Sequence, residues 1–586
     1  ICDQGGHCDL QDQAMAYGVD STRYQENKRA VEEKHIGPLV RTAMNRCIHC
    51  TRCVRFLAEV AGVPDLGAIG RGEDMEITSY LEQSMASELQ GNVADLCPVG
   101  ALVHLPQSYN VRPWELNKTE SVDVMDAVGS SIRIDTRGRE VMQIEPRISE
   151  EINEEWISDK TRYHNDRLRM QRLDRPYLRE NGRLRPASWG EVFQAIAAKV
   201  KGADPKRIGA IVGDLSGVEE IYALRELIRS LGSPNLDCRQ TDAGLDPALG
   251  RASYIFNPTI PGIEAADAIL IVGANPRTEA PVLNARIRKR WRMAPLAVGV
   301  IGEPVDLTYP SHYIGAGPDS LAALARGEHS FLETLKEAKA PLVIVGANAA
   351  PGILAAAAAL AKEIGAVSAE WNGFGVLHTA AARVGALDLG FVPGEGGLTF
   401  AQMLEPGALD VLFNLGADER DVAPGAFVVY QGSHGDRGAS RADVILPGAA
   451  YSEKSATWVN TEGRVQMGNR AAFPPGDARE DWAILRALSD VLGKRLPFDS
   501  LTALRRALYA AHPHLAAVGA VEPGTVAEAV DRLAGLGSST TGPAFVSPVT
   551  DFYLTNPIAR ASRILAECSR LARERAAEAP PLAAAE

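Results

Sequence analysis

Ala268-Ile269-Leu270-Ile271-Val272-Gly273-Ala274-Asn275-Pro276 is five consecutive aliphatic residues that stop on a glycine and a turn-forming Asn-Pro. The run is too short for a buried helix and too continuous for a half-exposed strand. It reads as a parallel strand covered on both faces, with a ligand-sized loop at its carboxyl end. The same pattern recurs in Ile208-Gly-Ala-Ile-Val-Gly213, Leu342-Val-Ile-Val-Gly346 and Val411-Leu-Phe-Asn-Leu-Gly416, each followed by a helical pattern. A long α/β region is therefore predicted from about Arg175. Before it, Ser121 to Arg147 alternates apolar and polar residues around Thr136-Arg137-Gly138-Arg139, which predicts a β-hairpin inside a small β-rich unit. Towards the end, Pro557 to Ala577 predicts one helix, and the AAEAPPLAAAE tail has the composition of a disordered segment.

At 586 residues the chain exceeds what one core sustains and implies several domains. A net charge of −13 argues against nucleic acid or anionic lipid as the main partner. No apolar run approaches bilayer-spanning length, and Ile353 to Ala361 reads as a short alanine-rich helix. Membrane association is expected only through other proteins. Six of the 8 cysteines fall in the first hundred residues, a distribution that suits metal ligation in a reducing compartment better than a disulfide framework. The other two, Cys238 and Cys568, read as small buried hydrophobes.

Within that group stands Cys47-Ile48-His49-Cys50-Thr51-Arg52-Cys53, with Cys97-Pro98 downstream. Three thiolates presented by one short loop and a fourth arriving from elsewhere is how a chain wraps a [4Fe-4S] cube. Structural zinc sites more often use two separated C-x2-C pairs, which this spacing fits poorly. Arg46, His49, Arg52 and Arg55 surround the run. They either raise a cluster's potential or face an acidic neighbour.

Taken together these motifs resemble the large iron–sulfur (75 kDa-type) subunits of respiratory complex I, the NADH:quinone oxidoreductase, in their alphaproteobacterial and mitochondrial branch. The resemblance runs from Cys2-Asp-Gln-Gly-Gly-His-Cys8-Asp-Leu-Gln-Asp-Gln13, through Ile152-Asn-Glu-Glu-Trp-Ile-Ser-Asp-Lys-Thr-Arg162, to Asp551-Phe-Tyr-Leu-Thr-Asn-Pro-Ile-Ala-Arg-Ala-Ser562. It implies a multidomain α/β chain: a remnant of a His/Cys3 [4Fe-4S] segment over 1–20, a [4Fe-4S] domain over 21–115, and a β-rich domain over 116–174. That β-rich domain is similar to the cluster domain of molybdopterin enzymes without its cysteines. A molybdopterin-oxidoreductase-like region over 175–548 and a C-terminal helix and tail over 549–586 complete the chain.

The resemblance further implies that Cys47, Cys50, Cys53 and Cys97 hold one [4Fe-4S] cluster, and that Cys2 and Cys8 are the last two ligands of a second, spaced H-x3-C-x2-C-x5-C. The other two ligands of that cluster and a [2Fe-2S] domain are expected upstream of Ile1. His7 is expected beside the second cluster, not as its ligand. Gly273-Ala-Asn-Pro276 matches the loop where molybdopterin enzymes hold a guanine nucleotide. Ala442-Asp-Val-Ile-Leu-Pro447, Glu453 and Asn460-Thr-Glu-Gly-Arg464-Val-Gln466 are further signatures of that scaffold. Residues 98–237 contain no cysteine, so no molybdopterin is expected, and lone Cys238 predicts no additional cluster. The function implied is an electron relay with no catalytic residue of its own and no NADH or quinone site. Its partners would be other peripheral-arm subunits of the complex: a flavoprotein with FMN, a separate [2Fe-2S] subunit and a quinone-module subunit. It would lie on the cytoplasmic side of a bacterial inner membrane or the matrix side in mitochondria. Alternatives are a formate dehydrogenase-like molybdopterin oxidoreductase and a hydrogenase-linked diaphorase subunit. The long α/β portion counts against the second.

Overall fold

The four predicted strands form as parallel strands, but they divide between two sheets. The computed structural model describes residues 2–241, 243–522, 526–537 and 540–578. In chain order, after the β-rich unit of β1 (Asn117–Val122), β2 (Ser131–Arg137) and β3 (Glu140–Pro146), the chain forms β4 (Tyr177–Glu180), β5 (Arg183–Pro186), β6 (Ile208–Val212) and β7 (Asn235–Asp237). It continues with β8 (Ala268–Val272), β9 (Ala297–Ile301), β10 (His312–Gly315), β11 (Pro341–Gly346) and β12 (Phe374–Leu377), then β13 (Val411–Leu415), β14 (Phe427–Gly432) and β15 (Val444–Pro447). One sheet has the order β7-β6-β13-β14-β15-β4-β5 and the other β10-β9-β8-β11-β12.

The second sheet is inserted in sequence between β7 and β13 of the first. It is parallel throughout. In the first, only the β4–β5 hairpin and its pairing with β15 run antiparallel. That hairpin turns at Asn181-Gly182, both with positive φ, as a two-residue hairpin loop requires.

The unbroken apolar runs follow from burial of both faces. In β8, Ala268, Leu270 and Val272 enter the main core cluster, while Ile269 and Ile271 enter a separate one on the opposite face. In β6, Ala210 and Val212 join that main core while Ile211 points into a third cluster. Period-two alternation still decides which face each residue meets, although both faces are apolar.

The predicted hairpin exists as β2–β3, turning at Gly138, and β1 adds a third antiparallel strand. One loop supplies several of the hydrogen bonds that join the unit to the α/β region. Thr461 N–H donates to Ala127 O at 2.7 Å. The Asn460 and Gln466 side-chain amides donate to Val128 O at 3.0 Å and Gly129 O at 2.7 Å. A Cβ built at Gly129 would lie 2.1 Å from Gln466 Oε1, so only glycine fits there. Arg172 grips the Glu453 carboxylate with both terminal nitrogens. Glu453, Asn460, Thr461 and Gln466 of the scaffold signatures therefore act as cross-links.

Pro351–Glu363 is helical and buries the predicted alanine-rich run. One expectation needs correction. The single helix predicted over Pro557 to Ala577 is two, Pro557–Ala561 and Arg563–Glu578. Ser562 adopts an extended conformation between them, and its hydroxyl accepts the Leu565 N–H at 3.1 Å. It therefore caps a new helix instead of continuing the old one. Residues 579–586 of the predicted tail lie outside the described residues.

A candidate cluster centre and two covered crevices

Cys47, Cys50, Cys53 and Cys97 line one cavity, together with Met44, Ile77, Val99, Ala101 and Leu102. The loop curls its sulfurs to one side because His49 and Thr51 adopt left-handed backbone conformations, with φ of 53° and 60°. For β-branched Thr51 that is strained, and strain of this kind persists where surrounding structure enforces it. His49 N–H points at Cys47 Sγ, 3.4 Å away. Cys53 lies within a helical turn, Arg52–Arg55, that runs into a π-helical turn over Phe56–Ala61. Two carbonyls of that turn, Ala58 O and Glu59 O, accept from Arg288 of the α/β region at 2.7 and 3.0 Å.

The fourth cysteine is positioned separately. Val40–Thr42 and Leu102–His104 pair as antiparallel strands, and the helix Asn92–Leu96 delivers Cys97 just before them. Asp95 on that helix is held by Arg162 Nη2 at 2.5 Å and by His104 Nε2 at 2.9 Å. Burial pushes the Asp95 carboxyl up, but the Arg162 guanidinium and His104 outweigh it and hold it below the usual carboxylate range.

Burial is also the main influence on the thiols, followed for Cys53 by its neighbour Cys97. It pushes Cys53 up to about 12 and raises Cys47 and Cys97. Backbone N–H groups of Val99, Leu102 and Ala101 directed at Cys97 oppose that rise. A bound metal centre reverses this preference, because a coordinating thiol is deprotonated outright. Four soft sulfur donors that line one largely apolar cavity have the chemistry an iron–sulfur cluster requires, although among the described residues no three of them close on a single ion.

Cys2 and Cys8 lie just beyond the fourth cysteine. Cys8 Sγ is 3.7 Å from Pro98 O and caps the helix Asp9–Tyr17 by accepting the Gln11 N–H at 3.4 Å. A Cβ built at Gly100 would lie 2.2 Å from Cys2 Sγ. The turn Pro98-Val99-Gly100 therefore has Cys97 on one side and both other cysteines on the other. Sequence reasoning missed this contact role of Gly100. Its only signal there was a glycine three residues after a predicted ligand.

Of the basic residues, Arg52 lines the cavity and sits 3.7 Å from Asp9, and Arg55 pairs with Glu59 at 3.2 Å. Arg46 Nη1 donates to Gly100 O at 3.4 Å. His7 lines a different cleft, with Asp95, His104 and Glu145. Cys238 and Cys568 are buried among apolar side chains.

The carboxyl ends of both sheets are covered and acidic. Asp214 follows β6, Asp418-Glu419 follow β13, and Asp436 follows β14. Burial raises the carboxyls of Asp214, Asp418 and Glu419, with Asp418 reaching about 6. The cavity beside them, lined by Gly416, Gly432, Tyr451, Lys454 and Ile558, holds about 40 Å³, room for a few waters. At the other sheet Glu279 accepts the Asn275 N–H of the loop after β8 at 2.9 Å, and Glu279 and Glu303 both accept from Ser547. A pterin dinucleotide is anionic, and the cations at the first crevice, Lys454 and Arg560, are already paired with Glu220, Asp481, Asp436 and Glu419, which disfavours it there.

Four family models match the chain. Residues 172–491 match "Molybdopterin oxidoreductase", and residues 37–103 match "NADH-quinone oxidoreductase subunit 3, ferredoxin-like domain". Residues 116–166 match "NADH-ubiquinone oxidoreductase NDSU1/NuoG-like, 4Fe-4S domain", although this stretch contains no cysteine. Residues 520–568 match a C-terminal domain of an NADH-ubiquinone oxidoreductase subunit. The "NADH-ubiquinone oxidoreductase 78 kDa subunit, mitochondrial" of Neurospora crassa is 46% identical over 97% of this chain and 78% of its own length. The 75 kDa subunit of Reclinomonas americana is 44% identical over 97% of this chain and 85% of its own. In fold, acetylene hydratase from Pelobacter acetylenicus aligns with a TM-score of 0.47 at 14% identity, covering 64% of this chain and 69% of that one.

The fold and site thus define an iron–sulfur protein built on a molybdopterin-oxidoreductase scaffold. The chain belongs to the family of 75/78 kDa-type subunits of NADH–ubiquinone oxidoreductase.

Proposed function

We propose that this chain relays electrons inside NADH–ubiquinone oxidoreductase. Cys47, Cys50, Cys53 and Cys97 would hold one [4Fe-4S] cluster, and Cys2 and Cys8 two corners of a second. Such clusters store and pass single electrons. The observation that carries this reading is the convergence of four cysteines on one cavity whose Pro98–Gly100 flank touches Cys2 and Cys8. The protein's part is to fix spacing and surroundings. Strained His49 and Thr51 orient the loop, backbone N–H groups face the sulfurs of Cys47 and Cys97, and Arg162 with His104 anchor the helix that presents Cys97. No side chain needs to act as a general acid or base.

Cys50 is the exposed member of the four and marks the edge open to an electron partner. The turn after Cys97 leads the other way, to Cys2 and Cys8. The partners are other subunits of the complex: a flavoprotein carrying FMN, a separate [2Fe-2S] subunit, and a subunit of the quinone module. Among the described residues no helix is long and apolar enough to cross a membrane. We place the chain peripherally, on the cytoplasmic face of a bacterial inner membrane or its matrix equivalent. The acidic, filled crevices support a scaffold without molybdopterin.

The test is Cys50→Ala in the assembled complex. The expected outcome is loss of one tetranuclear signal in low-temperature EPR and of quinone reduction, with NADH oxidation by an artificial acceptor retained. Persistent quinone reduction would overturn the relay, and near-stoichiometric molybdenum would overturn the scaffold reading.

A further inference from the structure

Both parallel sheets end in crevices of the kind that take nucleotide ligands in open α/β folds. A single stretch of the chain, residues 543–562, crosses both. At the five-stranded sheet, the Phe545 ring lies over Gly273, 3.3 Å from where a Cβ would stand, and Phe545 N–H donates to Ala316 O at 2.9 Å. Ser547 N–H donates to Glu303 Oε2 at 3.0 Å and its hydroxyl to Glu279 Oε1 at 3.1 Å. Ala544 backbone sits against Gly317, within 3.1 Å of a Cβ built there.

The segment then enters the cysteine domain. Phe552 and Tyr553 are buried in the same cluster of side chains as Phe56, Leu57 and Leu102, with Cys53 and Cys97 packed against it. Tyr553 OH accepts from the Gln90 amide at 3.4 Å. At the seven-stranded sheet, Pro557 and Ile558 line the small cavity over β13 and β14. There Arg560 meets Asp436 at 2.6 Å and Glu419 at 3.5 Å.

We propose that residues 543–562 are an internal ligand that occupies the carboxyl-end crevices of both sheets in place of a nucleotide or pterin, and ties both to the cluster domain. The chemistry at each end is matched to a peptide. Glu303 accepts the N–H and Glu279 the hydroxyl that Ser547 offers, and neither side chain brings a positive charge to hold a phosphate. Asp436 and Glu419 take the Arg560 guanidinium, where a dinucleotide would bring more negative charge. Gly273 leaves the space that a base or a ring can fill, and Phe545 fills it.

Hydrogen exchange read by mass spectrometry on the full chain in its complex tests this. The amides of Phe545, Ser547, Ala559 and Arg560, each of which donates to a partner, are expected to exchange slowly, as paired amides do. Phe545→Ala should speed exchange about tenfold or more over 543–549, and Arg560→Gln likewise over 555–562, the scale of one lost contact. The EPR signals confirm that each variant is folded. Guanosine diphosphate at millimolar concentration should show no saturable binding to the unaltered protein. Exchange of these amides at the rate of exposed loops in the unaltered protein would overturn the proposal. So would saturable guanosine diphosphate binding while they remain protected.

Discussion

Around the four cysteines the chain makes short antiparallel pairs, a π-helical turn and two left-handed non-glycine residues. In the α/β region the strands are buried on both faces, and charges are neutralised inside, as where Lys454 bridges Glu220 and Asp481 at 2.5 and 3.0 Å. The first region spends regular structure to place sulfurs. The second has regular structure and crevices closed by its own side chains. Left-handed threonines occur in both regions, Thr51 in the first and Thr259 and Thr308 in the second, so the difference lies in sheet continuity and in crevices met by the chain's own side chains.

The contrast breaks hardest at the cysteines. Cys50→Ala should cost the cluster and essentially all quinone reduction while leaving the far-ultraviolet circular dichroism of the α/β region unchanged. A loss of helix and strand signal would mean that the two regions are not separable.

Next is Lys454→Met. Removing the ammonium leaves two buried carboxylates uncompensated, a loss of about 3–5 kcal/mol. The expected result is a lower denaturant midpoint by tryptophan fluorescence, with the EPR signal per folded molecule intact.

Glu279 sharpens the comparison through pH. Burial holds its carboxyl up at about 7 against an ordinary 4.5. The folded state keeps a proton that the unfolded state releases, so stability falls as pH rises from about 4.5 through about 7 and then levels. Glu279→Gln should flatten that window and add up to ~3 kcal/mol above it. An unchanged slope in denaturation midpoints between pH 5 and 7 would count against a buried, proton-holding Glu279.

The smallest effect concerns the turn between the two cysteine groups. Gly100→Ala places a methyl against Cys2 Sγ and should cost about 1–3 kcal/mol of overpacking. It should shift the EPR spectrum of the centre that Cys2 serves more than that of the Cys47 group. Gly67→Ala, where nothing lies within 4 Å of the added carbon, is the silent control.

Much of the fold and site is legible in the order of residues. Cysteine spacing is local covalent geometry, so it names the ligand candidates directly. Continuous aliphatic runs could only be strands covered on both sides, and all four form as such. The helix over Pro557 to Ala577 is misjudged because apolar periodicity carries across Ser562, whose capping role depends on Leu565 being there to donate.

Sequence alone determined an α/β body and which cysteines are candidate ligands for a cluster, since both are written in spacing and period. Only the tertiary structure decided that the four runs belong to two sheets, that Gly100 abuts Cys2, and that residues 543–562 cover both crevices. Those are contacts between residues far apart in the chain. Burial, charge pairing and excluded volume choose such contacts, and no local pattern records them.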